Sequence, residues 1–125
     1  LKNVKTIFGW IPEGDKDKYY KEADLVVLPF THAPWMSGVL PEAAAYGLPV
    51  VITDSGPSCD IIKIFKSGEI ARPKDPEAFA NAIKKVFKNY SKYGKGIIDF
   101  KKRTDVKVIA KEHLNLYKQV LNEND

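Results

Sequence analysis

A chain of 125 residues, 44% hydrophobic and 29% charged, has the size and composition of one globular domain and is too short for two. No apolar run approaches the roughly 20 residues that a membrane-spanning helix requires. The formal net charge of +4 comes from lysines spread along the whole length, which reads as a solvated surface rather than the clustered footprint of a nucleic-acid binder.

The chain opens at Leu1 on what reads as a strand, with no secretory leader visible, so it is expected to be a piece of a longer protein. The single cysteine, Cys59, can form no internal disulfide and fits a reducing compartment. The cytoplasm is the expected location. The densest basic cluster, Lys95, Lys101, Lys102, Arg103 and Lys107, leaves open a peripheral contact of the parent protein at the inner membrane face.

Val4 to Phe8 is a short apolar run closed by Gly9 and predicts a strand. Pro12 to Ala23 carries Tyr19, Tyr20 and Ala23 at helical spacing, with proline near the start where its missing N–H costs nothing. Leu25 to Phe30 is nearly continuous in apolar residues, the mark of a strand buried on both faces. Val39 to Tyr46, with three consecutive alanines, predicts a tightly packed crossover helix ending at Gly47, and Leu48 to Thr53 the next strand. A short helix over Asp60 to Lys66 and a strand over Glu69 to Arg72 follow. Asp75-Pro76-Glu77 then provides a cap, a proline at the first helical position and an acidic first turn, ahead of Phe79, Ile83, Val86 and Phe87 on one face. Ser91 to Gly96 reads as a linker and Asp105 to Asn122 as an amphipathic helix.

The alternation implies an α/β fold, a Rossmann-like parallel sheet with helices on both faces, in a single partial domain over 1–125. Strand and helix units occupy 1–90, and the linker and C-terminal helix 91–125. Parallel folds of this class bind ligands beyond the carboxyl ends of the strands, which directs attention to the loops after Phe8, Phe30 and Thr53.

The run Phe8-Gly9-Trp10, then Tyr20-Lys21-Glu22-Ala23-Asp24 leading into Leu25 to Pro29, then Glu42-Ala43-Ala44-Ala45-Tyr46-Gly47-Leu48-Pro49-Val50-Val51 and Thr53-Asp54-Ser55-Gly56, resembles the C-terminal domain of the family 4 retaining glycosyltransferases of GT-B fold. The ordered set at family spacing covers most of residues 4 to 88 and is far more specific than any one piece. It implies a half-domain whose first, central strands precede Leu1. It also implies a hexosyltransferase of glycan biosynthesis that passes a sugar from a UDP-, GDP- or ADP-linked donor to a glycan, lipid or small-molecule acceptor, with retention.

The resemblance further implies that Glu42 binds the ribose hydroxyls and that Trp10 stands where the base is placed. The family pairs that glutamate with an earlier one that reads the sugar; Pro34 occupies its position here, so sugar reading is expected to be atypical. The strand carrying Gly-Arg and a nearby lysine, which neutralise the departing diphosphate, and the acceptor-binding N-terminal domain have no match in the chain. The isolated fragment is therefore expected to be inactive, and its bare sheet edge either to take Val4 to Phe8 beside Leu25 to Phe30 or to self-associate.

Independently of the resemblance, Ser37, Gly38 and Val39 stand at a helix start after a strand, where free N–H groups suit a diphosphate, although a plain cap after a surface loop reads equally well. His32 offers contacts to sugar hydroxyls or phosphate, or is a loop residue. Trp35 and Met36 could stack on a ligand or pin the loop. Asp54 reads as a turn former and Asp60 as a helix cap. The two histidines, His32 and His113, are isolated, so no protein-held metal or cofactor is expected, the nucleotide sugar being substrate. No catalytic residue is assigned. A non-catalytic nucleotide-binding module and a receiver-like interaction domain are the competing readings.

Overall fold

A computed structural model describes residues 2–122 of the chain. Its elements are α1 (Glu13–Glu22), β1 (Val26–Leu28), α2 (Val39–Ala45), β2 (Val50–Thr53), α3 (Ser58–Phe65), β3 (Gly68–Ala71), α4 (Pro76–Lys88), a 3-10 turn (Tyr90–Tyr93), α5 (Gly94–Arg103) and α6 (Val106–Asn122). The three strands form one parallel sheet in the order β1-β2-β3, with Val26 opposite Val50 and Val50 opposite Gly68. All four residues of β2 are buried, as a central strand covered on both faces must be. The cover comes from α3 and α4, each packed against β2 and β3. This is the expected Rossmann-like α/β class.

Small residues allow the tight crossover between β1 and β2. Ala43 and Ala44 are buried in α2, and the helix stops where its sequence says. Gly47 takes φ +75°, its N–H donates to Ala44 O at 3.1 Å, and the Leu48 N–H reaches Ala43 O at 2.9 Å. Those two bonds satisfy carbonyls that the helix end would leave bare. The start of α4 is equally local in origin: the Asp75 carboxylate accepts the Ala78 N–H at 2.8 Å and Pro76 holds the first helical position.

Three of the expected elements differ. Leu25 to Phe30, expected as a strand buried on both faces, yields the three-residue β1 with Val27 43% exposed, because β1 is the edge strand of this sheet and is covered less than β2. Val4 to Phe8 forms no strand; it makes no ladder with any described residue, and Phe8 is 92% exposed. An apolar run becomes a strand only through cross-strand pairs and a covered face, and this segment has neither. The expected linker over Ser91 to Gly96 is instead the 3-10 turn and the first turn of α5. Here Ile97 and Phe100 are buried, and Phe100 packs on Phe65 with ring centroids 4.9 Å apart. Gly96 permits this contact, because a Cβ there would lie 1.9 Å from the Phe65 carbonyl oxygen. The last helix, α6, forms as expected and touches α5, but most of its apolar face is uncovered, with Leu114, Tyr117 and Leu121 all exposed. No helix among the described residues is long and apolar enough to cross a membrane.

Candidate functional site

Two loops leave the carboxyl ends of β1 and β2 and are bound to each other. Thr53 Oγ1 donates to the Phe30 carbonyl, and the Ala33 N–H donates to Ser55 O at 3.2 Å. Gly56 faces the Ala33 carbonyl so closely that a Cβ would sit 1.8 Å from its oxygen. Ser58, at the start of α3 and 1% exposed, completes the staple: its Oγ accepts the Ser37 N–H at 2.9 Å and donates to the Trp35 carbonyl at 3.1 Å. The loop that delivers the chain to α2 is thereby fixed from β2 and α3.

At the head of α2 the Ser37 Oγ accepts the Val39 N–H at 3.3 Å. Pro41 falls in the first turn, where helix N–H groups have no intrahelical partner and proline costs little. One position further along, Glu42 projects toward α1. Its Oε2 accepts the Tyr20 hydroxyl at 2.6 Å, and Lys16 Nζ stands 3.7 Å from Oε1 while pairing more closely with Glu13, at 2.9 Å. Lys16 and Tyr20 are four residues apart, which puts them on one face of α1. The Tyr20 ring stacks on Tyr46, at 4.9 Å between centroids and 9° between planes, and the Tyr46 hydroxyl donates to Asp17 at 2.8 Å. Burial, then the hydrogen bond to Glu42, pushes the Tyr20 phenol well above its ordinary value, so it is held as a donor.

Between α1 and α2 lies a cavity of about 540 Å³, whose lining includes Lys16, Tyr20, Gly38, Val39 and Glu42. This volume is in the range of small-molecule sites. Three of the residues singled out from sequence, Gly38, Val39 and Glu42, thus come together. Ser37 instead turns its backbone to Ser58 and its hydroxyl to the helix cap. Trp10 is 86% exposed, and its neighbour Ile11 takes the place in the lining. His32 is exposed in the loop after β1 and is not part of that lining; Trp35 and Met36 are exposed as well. Sequence reasoning missed Lys16, Tyr20 and Ser58. The first two announce themselves only as a pair at helical spacing, and Ser58 as a serine at a helix start.

Asp54 and Asp60 are tied to Lys63, at 3.6 and 3.3 Å, and Asp54 also accepts the Cys59 thiol at 3.0 Å. Asp60, expected as a cap, lies inside the first turn of α3. His113 is in α6, bonded through Nδ1 to Ile109 O. Among the described residues no three His, Cys, Asp or Glu side chains gather as a metal-holding group.

A family model described as glycosyl transferases group 1 matches residues 1–112. The chain belongs to the glycosyl transferases group 1 family. Over 119 residues it is 34% identical to an uncharacterized glycosyltransferase of Methanocaldococcus jannaschii, covering 91% of this chain and 30% of that protein. A shorter stretch of 48 residues is 44% identical to sucrose-phosphate synthase 4 of Arabidopsis thaliana, covering 38% of this chain and 5% of that one. Among solved structures, sucrose-phosphate synthase from Thermosynechococcus elongatus superposes with a TM-score of 0.72 at 25% identity, over 94% of this chain and 30% of that chain. The fold is that of a GT-B half-domain, and the glycosyl transferases group 1 chain described here spans about a third or less of the length of these relatives.

Proposed function

We propose that this chain is the donor-binding domain of a sugar-transferring enzyme, taking the nucleotide diphosphate of an activated sugar into the cavity between α1 and α2. The observation that carries the reading is the position of Glu42, beside Gly38 and Val39 and inside that 540 Å³ cavity. A carboxylate there forms charge-assisted hydrogen bonds to the ribose hydroxyls. Gly38, without a side chain, lets the diphosphate approach the backbone. The donor is UDP-, GDP- or ADP-linked, transfer proceeds with retention, and the acceptor is held by another part of the parent enzyme. Among the described residues the one cation lining that cavity, Lys16, is paired with Glu13 and Glu42, and the chain is inactive alone.

Isothermal titration with UDP, GDP and ADP tests this reading. In the protein at full length, Glu42→Ala weakens the preferred nucleotide by about 1–3 kcal/mol, the scale of a lost hydrogen bond to a charged group. Unaltered affinity would remove Glu42 from the site.

A further inference from the structure

We propose that Tyr20 is the positioning residue of the nucleotide site, holding Glu42 by Oε2 so that its carboxylate meets the ribose hydroxyls. The inference rests on the reading of Glu42 just given and extends it to a residue on a different helix. A glutamate has three side-chain torsions, and fixing them on binding costs affinity. In this fold they are fixed beforehand. The Tyr20 hydroxyl engages Oε2 at 2.6 Å, whereas Oε1 has the looser 3.7 Å ion pair with Lys16, and both Tyr20 and Glu42 line the cavity.

The device holding Glu42 is itself held. Tyr20 cannot swing away without losing its parallel stack on Tyr46, and Tyr46 is tethered through its hydroxyl to Asp17, which Lys21 in turn engages at 2.6 Å. Four side chains from α1 and the end of α2 thus converge on the orientation of one carboxylate. A simple tie between two helices would need no cavity at the bond. Here Tyr20, Glu42, Gly38 and Val39 line the same cavity.

The test uses the full-length protein and titrates UDP, GDP and ADP against their 2′-deoxy counterparts. Tyr20→Phe keeps the stacked ring and removes only the hydroxyl. It should weaken the preferred ribonucleotide about 3- to 10-fold, the scale of one hydrogen bond, leave the deoxy compound nearly unchanged, and so lower the ribose-to-deoxyribose preference. In a Glu42→Ala background the same change should have no further effect, as expected of a residue acting through another. Tyr46→Leu, which removes the stack and spares the hydroxyl, should lower the preference in the same direction by a smaller factor, and it serves where Tyr20→Phe fails to fold. An unchanged preference in Tyr20→Phe, or equal losses for ribo and deoxy ligands, overturns the proposal while Glu42 keeps its role. If Glu42→Ala itself preserves the preference, the ribose reading falls and this one with it.

Discussion

Replacing Gly56 with alanine forces a methyl group into the loop that leads to α2. The added Cβ would lie 1.8 Å from the Ala33 carbonyl oxygen and 2.8 Å from its carbon. Relaxed non-bonded contact is about 3.5 Å, so the two loops must part by roughly 1.7 Å. The obstacle is backbone, which no rotamer change can clear. Overpacking of this kind costs about 1–3 kcal/mol, and the 3.2 Å bond from the Ala33 N–H to Ser55 O is lost with it, for about 1 kcal/mol more. A total of about 2–4 kcal/mol should lower the urea midpoint by about 1–2 M at an unchanged slope. Gly14→Ala supplies the control: Gly14 lies in α1 with nothing within 4 Å of an added Cβ, and alanine there should stabilise by about 0.5–1 kcal/mol. Because the moved loop ends at Ser37 and Gly38, nucleotide affinity should fall along with stability in Gly56→Ala and hold in Gly14→Ala. Equal midpoints for Gly56→Ala and the unsubstituted protein would show that the loops are not locked together as described.

Glu69 should carry part of the acid sensitivity. Burial raises its carboxyl, but hydrogen bonds from Lys85 and Tyr93, at 2.7 and 2.6 Å, outweigh that and hold it below its ordinary value. A depressed carboxyl stabilises the fold above its unfolded-state value and loses that contribution as pH falls through the folded-state value. Thermal midpoints of Glu69→Gln should therefore fall below the parent's at pH 7 and converge with them under acid, and parallel curves down to pH 3 would assign the acid sensitivity elsewhere. The open outer edge of β1, where Val27 is 43% exposed, should pair with a second copy in the isolated chain. Light scattering across a concentration series should then show association that Val27→Lys reduces; a monomer at every concentration refutes it.

What could be read from sequence was whatever is settled within a few residues. The Asp75-Pro76 start of α4 and the Gly47 stop of α2 follow from side chains next to the backbone groups they serve. Gly94 and Gly96 misled for a related reason. Glycine costs about 1 kcal/mol in a helix, and only the approach of α5 to the Phe65 carbonyl explains why Gly96 is there. Val4 to Phe8 has the composition of a strand, but pairing is a property of the neighbour and not of the segment. At the site, Glu42, Gly38 and Val39 sit on one short helix and were legible together. Tyr20 meets Glu42 across 22 residues, and Ser58 meets Ser37 across 21; such contacts exist only once the topology has placed α1 and α3 on either side of α2.

Two carboxylate clusters flank the loops that follow β1 and β2, one at the start of α3 and one between α1 and α2. In the first, Asp54 accepts from the Cys59 thiol and pairs with Lys63, which also holds Asp60. Burial and the Asp54 carboxylate push the Cys59 thiol up, away from the thiolate that nucleophilic chemistry requires. That cluster ties the loop after β2 to the first turn of α3. In the second, Glu42 takes the Tyr20 hydroxyl at Oε2 and the looser 3.7 Å ion pair of Lys16 at Oε1, and it lines a cavity large enough for a ligand. A carboxylate held in place by a short hydrogen bond beside a cavity loses little side-chain freedom when a ligand hydroxyl replaces a long, partly exposed ion pair. What separates the two clusters is the space beside them, and the carboxylate that lines the 540 Å³ cavity is the one placed to meet a partner from outside the fold.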